Sequence, residues 1–185
     1  MIDDNPKNLK RSDVLVVYAS KYGTTKRYAQ WIAESLSTEA FDLKRFSIGL
    51  LQSCSTVIFG SSVHIGKIKN VNFIKKNWEL LSDKQIIVFA STGNPKITTK
   101  DQAVLKASLP SSISQNIHYF PLPGAYDYHK LDFTDKFLMN FGPMRNLRIK
   151  ALIRGDEKAK EQLEALHQAV DWTNKEAITP ILTFN

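Results

Sequence analysis

Three short apolar runs constrain this chain most: Val14 to Ala19 (VLVVYA), Thr56 to Gly60 (TVIFG) and Ile86 to Ala90 (IIVFA). Each is almost continuously apolar, the pattern of a strand covered on both faces and the habit of parallel sheets. Helical periodicity follows each of them. Tyr28, Ala29, Ile32, Ala33 and Leu36 fall on one face after the first, and Phe73, Ile74, Trp78 and Leu81 mark a helix after the second. A short helix around Ala103 to Leu109 follows the third. Phe41 to Phe46 alternates apolar with polar residues, as a half-covered edge strand should, and His118 to Leu122 is a shorter candidate strand. Strands alternating with helices predict an α/β fold with right-handed crossovers and helices on both faces of a parallel sheet. Five strands in this rhythm fit a doubly wound order 2-1-3-4-5 better than a six-stranded sheet.

With 185 residues, 43% of them apolar and 23% charged, the chain has the size and composition of one folded domain rather than a disordered one. The expected layout is a polar extension over residues 1–12, a domain over 13–170, and a tail over 171–185 packed on or near that domain. No apolar run approaches the roughly 18 residues of a membrane-spanning helix, and the first ten residues lack the apolar centre of a secretory signal. Cys54 is the only cysteine, so no internal disulfide and no Cys-x-x-Cys pair exists, and no metal site is expected. These features predict a cytoplasmic protein. The net charge of +7 favours an acidic partner or surface, or serves solubility. Nucleic acid is not expected, because no binding motif accompanies the charge.

In a doubly wound sheet, ligands bind at the carboxyl ends of the strands, near the point where strand order reverses. Three loops leave those ends here. The first, Ser20-Lys21-Tyr22-Gly23-Thr24-Thr25, sets hydroxyls and a glycine between a buried strand and a helix N-terminus, where free amides favour an anion. It has neither the Gly-x-Gly-x-x-Gly of a dinucleotide site nor the Gly-Lys-Ser/Thr of a P-loop, so a monophosphate is the better match. An ordinary Ser/Thr-rich turn with a helix cap accounts for the same residues. The second loop, Ser61-Ser62-Val63-His64-Ile65-Gly66-Lys67, has small residues that leave room for a planar ring along the backbone. The third, Ser91-Thr92-Gly93-Asn94-Pro95, has the composition of a tight turn. His64 and His129 are weak candidates for catalysis, each also readable as a solvent-facing loop histidine.

The stretch VLVVYASKYGTTKRYAQWIAESL resembles the opening of flavodoxins, and its spacing to GSSVHIGK and ASTGNPK is similar to one flavodoxin-domain branch. PGAYDYHKLDFTDKFLM and the overall length resemble that same branch, which includes menaquinone-dependent protoporphyrinogen IX dehydrogenase. The resemblance covers roughly residues 13 to 150 and implies a flavodoxin-like fold holding FMN. Carried over by position, it implies that Ser20, Tyr22, Gly23, Thr24 and Thr25 bind the phosphate, while Lys21, inside that loop, departs from the pattern and either assists with its charge or points outward. Ser61, Ser62, Val63, His64, Ile65 and Gly66, with Ser91, Thr92, Gly93 and Asn94, would then border the isoalloxazine. Following the fifth strand, the Tyr126-Asp127-Tyr128-His129 cluster could overhang the crevice, with Tyr126 or Tyr128 stacking on the flavin or an aromatic substrate, or could simply cover the core. Two further departures matter. This chain is basic where electron-transfer flavodoxins are acidic, and its second loop has no Trp or Tyr to stack on the ring.

The leading expectation is therefore an FMN-dependent oxidoreductase with a quinone or a redox protein as partner. The alternatives are an electron-transfer flavodoxin and a flavodoxin-fold interaction protein without FMN. Phe133, Phe137, Leu138 and Phe141 are expected on the core face of a helix that Gly142-Pro143 interrupts, and a final helix carries Ala159, Leu163, Leu166 and Val170. The basic residues Arg145, Arg148, Lys150 and Arg154 are candidates for contact with a partner or with an anionic membrane at its inner face.

Overall fold

The three apolar runs become the three central strands of one parallel sheet. The structure, a computed structural model, describes residues 13–141 and 143–184; the extension expected over 1–12, like Gly142, lies outside the described residues. In chain order the elements are β1 (Val14–Tyr18), α1 (Thr24–Leu36), β2 (Ala40–Asp42), β3 (Thr56–His64), β4 (Lys67–Ile68), α2 (Asn72–Lys76), α3 (Trp78–Leu81), β5 (Gln85–Thr92), α4 (Thr99–Lys106), α5 (Ser111–Ser114) and β6 (Ile117–Pro123). Then come β7 (Ala125–Tyr126), α6 (Phe133–Phe141), α7 (Pro143–Ile153), α8 (Glu157–Ala165), β8 (Val170–Asp171) and α9 (Thr179–Leu182). The parallel strands lie in the order β2-β1-β3-β5-β6, with the short β4 antiparallel to β3. Counting only the parallel strands, this is the expected 2-1-3-4-5 order.

The described chain divides into two compact units: one from residues 13–124 together with 172–184, the other Ala125–Asp171. In the first, alternate residues of each strand enter opposite cores. Val14, Val16, Ile58, Ile87 and Phe89 pack with Tyr28, Ala29 and Ile32 of α1 and with Ile178 and Ile181 near the C-terminus. Val17, Val57, Phe59, Ile86 and Val88 pack on the other face with Leu51, Ile74, Leu81 and Leu105. Helices thus cover both faces, which is why the central strands read as unbroken apolar runs. The C-terminal segment is tied in by Tyr28, whose hydroxyl donates to the Pro123 carbonyl at 2.7 Å and accepts from the Asn174 amide at 3.2 Å.

Three elements differ from their sequence expectation. The edge strand is only Ala40–Asp42, because from Leu43 the chain turns, with Arg45 N donating to Asp42 O at 2.9 Å. The helix expected over Phe73 to Leu81 is two short ones meeting at Asn77, whose side-chain amide donates to Phe73 O at 2.7 Å and competes with the helical ladder. The last helix stops at Ala165, where His167 N turns back to Glu164 O at 2.9 Å, and Val170 lies in β8.

In the second unit, β7 and β8 pair antiparallel, with Tyr126 opposite Val170. Phe133, Phe137 and Phe141, expected to face a core, are 86%, 49% and 64% exposed. The positions that α6 and α7 bury are instead Asp135, Met144 and Ala151.

Candidate functional site

β1 is in register with β3 only as far as Tyr18 opposite Gly60, while β3 runs on to His64. The chain leaves β1 towards β2 on one side and returns to β3 on the other, so strand order reverses between β1 and β3. This is the switch point at which such sheets bind ligands. The loops after β1, β3 and β5 all leave from this end.

The first loop is shaped by Gly23. Its φ of 94° lies in the left-handed region open to glycine, and its amide donates to Ser20 Oγ at 3.1 Å. Gly23 is also the N-cap of α1: Arg27 N donates to Gly23 O at 3.0 Å, no side chain caps the helix, and no carboxylate lies in its first turn. The first-turn amides of a helix have no acceptor within it, so Thr24, Thr25 and Lys26 present N–H groups and the positive end of the helix dipole at the switch point. A glycine cradle, an uncapped helix start and a missing carboxylate fit a phosphate monoester. Tyr22 is 46% exposed and Lys21 Nζ stands 5.1 Å from its ring centroid.

Thr25 has a different place from its loop neighbours. Its side chain is buried, and its hydroxyl donates to Ser61 O at 3.1 Å and lies 3.2 Å from Ser91 Oγ. One hydroxyl thus joins the α1 start to the ends of both β3 and β5. Ser61 is itself interior, its hydroxyl donating to Lys69 O at 2.7 Å. Ser91 and Thr92 are buried as well, whereas Gly93 and Asn94 are exposed. Asn94 N donates to Thr92 Oγ1 at 3.2 Å and its side chain to Asp101 Oδ1 at 2.7 Å. Asp101 also accepts from the Thr98 amide and hydroxyl in a capping box that opens α4. Burial works against ionisation of Asp101, but the hydrogen bonds from Thr98 and Asn94 outweigh it and hold its carboxyl below the usual carboxylate range.

The second loop is a hairpin. Val63 pairs with Ile68 and His64 with Lys67, leaving Ile65 and Gly66 as a two-residue turn with φ of 47° and 69°. Two positive φ values mark the primed hairpin turn, which Asn-Gly usually fills. A β-branched residue is strained there, and Ile65 stands 71% exposed at the tip. Ser62, Val63 and His64 are half-buried along the extension of β3. The hairpin was not legible as such, since Ile-Gly is a poor turn signature. The Thr98-x-x-Asp101 box, by contrast, has a recognisable sequence signal.

Charge completes the picture. Residues 19–27, 60–72 and 90–100 carry Lys21, Lys26, Arg27, Lys67, Lys69, Lys96 and Lys100 and no carboxylate, an electropositive rim that suits anions. The structure therefore brings together the candidates of the three loops in the first unit. Tyr126 and His129 belong to the second. The Tyr126 hydroxyl is buried with no hydrogen-bond partner among the described residues, and burial, then Tyr128 and Asp127, push its pKa up to about 12. His129 is exposed, its amide donating to Asp127 Oδ1 at 3.0 Å. Among the described residues no His/Cys/Asp/Glu cluster suits a metal ion.

No curated protein matches the chain. Among solved structures it is similar to a flavodoxin, WrbA-like protein of Agrobacterium tumefaciens at 17% identity and a TM-score of 0.46, covering 60% of this chain and 83% of that one. It is also similar to rubredoxin oxygen:oxidoreductase of Desulfovibrio gigas at 16% identity and a TM-score of 0.46, covering 93% of this chain and 37% of that one. A flavodoxin from the Archaea matches at 21% identity with a TM-score of 0.38, over 50% of this chain and 75% of that one. The assignment rests on sequence: residues 15–146 match the family model of the flavodoxin domain, and the chain belongs to that family.

Proposed function

We propose that the protein binds FMN and acts as a flavin-dependent oxidoreductase that passes electrons to a quinone or a redox protein. The observation that carries the reading is the uncapped start of α1, opening behind Gly23 at the reversal of strand order with no carboxylate in its first turn. A terminal phosphate there receives amides and the helix dipole. A dinucleotide would need the closer glycine-rich approach that this loop lacks.

When bound, FMN supplies transfer of one or two electrons with the accompanying protons. The chain's own residues bind, orient and set the charge around it. Ser20 and the amides following Gly23 hold the phosphate, while Lys21 stands at the loop edge. The extended end of β3, from Ser62 to Ile65, and the exposed Gly93-Asn94 turn border the ring. Thr25 keeps these two borders in register by bonding to Ser61 and Ser91. The three loops carry more cations than carboxylates, and an excess of positive charge favours a ring carrying negative charge, so the rim would bias the cofactor towards reduction. This charge bias, opposite to that of an acidic carrier, favours an enzyme over a shuttle.

Titration of the flavin-free protein with FMN, followed by quenching of flavin fluorescence, tests the cofactor. Saturable one-to-one binding is expected, and absence of quenching at micromolar protein overturns the proposal. For the reaction, anaerobically reduced protein is mixed with a menaquinone analogue. Reoxidation faster than that of free reduced FMN is expected; an equal rate overturns the quinone assignment while leaving FMN binding intact.

A further inference from the structure

Several large apolar side chains of the second unit are exposed. Phe133, Phe137 and Phe141 recur every four residues and form one stripe of α6, with the last two ring centroids 4.3 Å apart. On α7, Ile149, Leu152 and Ile153 are 38%, 80% and 78% exposed, while Met144 and Ala151 fill its buried side. Arg145, Arg148, Ile149 and Leu152 follow at three- and four-residue spacing, so cations and apolar tips share the exposed face. From residue 136 to residue 154 the chain carries Lys136, Arg145, Arg148, Lys150 and Arg154 and no carboxylate. The acidic residues of the unit lie outside that stretch, several of them on α8.

We propose that the α6–α7 face of this unit docks on an anionic lipid bilayer, with Phe133, Phe137, Phe141, Leu152 and Ile153 entering the headgroup and acyl boundary and the arginines and lysines meeting lipid phosphates. Charge complementarity selects this occupant. An amphipathic surface with aromatic and branched aliphatic tips among cations is the composition of interfacial helices, and long basic side chains can lay their stems along apolar surface while their heads reach phosphate. A second copy of the chain fits poorly, because a two-fold contact through this face would set the same cations against each other. The proposal goes beyond the redox reading and does not depend on the flavin.

The test is co-sedimentation of the full chain, with and without added FMN, with vesicles of phosphatidylcholine alone or mixed with phosphatidylglycerol. Binding to the mixed vesicles and not to phosphatidylcholine is expected, unchanged by FMN. It should weaken when salt rises from about 0.1 M to 1 M and the screening length falls from about 10 to 3 Å. Arg145→Gln, Lys150→Gln and Arg154→Gln combined should weaken it about a hundredfold, at about fivefold per charge. Phe133→Ser with Phe137→Ser, or Leu152→Ser with Ile153→Ser as an independent pair, should each weaken it at least tenfold. All of these positions are exposed, and a far-ultraviolet spectrum like that of the parent shows that a variant is folded. No sedimentation with the mixed vesicles at low salt overturns the proposal, as does binding that none of the variants alters. A stable dimer in light scattering that the Phe or Leu152/Ile153 variants dissolve also overturns it, assigning the face to self-association. Failure of the flavin titration leaves each of these readings unaffected.

Discussion

Tyr126 carries a buried hydroxyl with nothing among the described residues to receive it. An unmet buried donor costs about 1–3 kcal/mol, so Tyr126→Phe is expected to raise stability towards urea by about 1–2 kcal/mol. The same site has a pH signature. Burial, with Tyr128 and Asp127 adding to it, pushes the Tyr126 pKa up to about 12, whereas an unfolded tyrosine ionises near about 10. Below the unfolded value both states keep the proton and stability is unaffected. Between about 10 and 12 only the unfolded chain loses it, so the parent loses stability as pH rises through that window and the Phe variant loses less. Urea midpoints from pH 8 to pH 11.5 check both points. A variant that is less stable at pH 8 would mean that the hydroxyl has a partner.

Helix ends are where α1 and α4 make opposite demands. At the start of α1 the first turn is uncapped, so Thr24→Asp places a carboxylate at the positive end of the dipole. It is expected to stabilise the flavin-free protein by about 0.3–1 kcal/mol and to weaken FMN at least tenfold, about 1.4 kcal/mol. Opposite signs in melting temperature and in flavin titration separate a phosphate site from a helix start with no ligand. At α4 the cap already exists, and Asp101→Asn should cost about 1 kcal/mol. Because hydrogen bonds hold Asp101 below the usual carboxylate range despite burial, its contribution is present above the unfolded value near about 3.9 and disappears as pH falls through the folded one. The gap between parent and variant should therefore be constant from pH 7 to pH 5 and close below about pH 4, as chemical denaturation at each pH would show. The elements that sequence makes legible are those whose local pattern and tertiary role coincide. VLVVY, TVIFG and IIVFA are apolar because helices cover both faces of the strands they form. Legibility fails where partners distant in sequence decide. Thr25 reads as one more loop hydroxyl, yet Ser61 and Ser91 draw it inside. Ile65 reads as an apolar loop residue, though pairing of Val63 with Ile68 forces it into a positive-φ turn. The Phe133, Phe137, Phe141 stripe has the periodicity of a core face, and periodicity alone does not say whether protein covers it.

At the scale of the whole molecule, the chain leaves the first unit at Gly124 and re-enters it at Trp172. The two ends of that excursion are already joined, since Trp172 N donates to Gly124 O at 3.0 Å. Gly124 also lies against β5 so closely that a Cβ there would stand 2.1 Å from the Thr92 carbonyl oxygen. The returning segment completes the first unit: Asn174 N reaches Tyr28, Thr173 Oγ1 accepts from Arg27 at 2.7 Å, and Ile178 and Ile181 fill the core beside α1. Removing 125–171 and joining Gly124 to Trp172 through a short glycine bridge therefore keeps every residue of the first unit in one chain and shortens the loop to be closed. The expected product folds in one cooperative transition and retains the three loops at the switch point. On the reading that those loops hold FMN, the excised protein keeps a flavin affinity within about threefold, a change under about 0.7 kcal/mol. It should no longer sediment with phosphatidylglycerol vesicles, because the exposed phenylalanines and the basic stretch go with the excised segment. A folded product that has lost FMN would show that residues of the second unit hold the cofactor, and a product that still sediments would move the lipid-binding surface to the basic rim of the first. Calorimetry, flavin titration and sedimentation on this one variant thus assign cofactor binding and lipid binding to separate stretches of the chain.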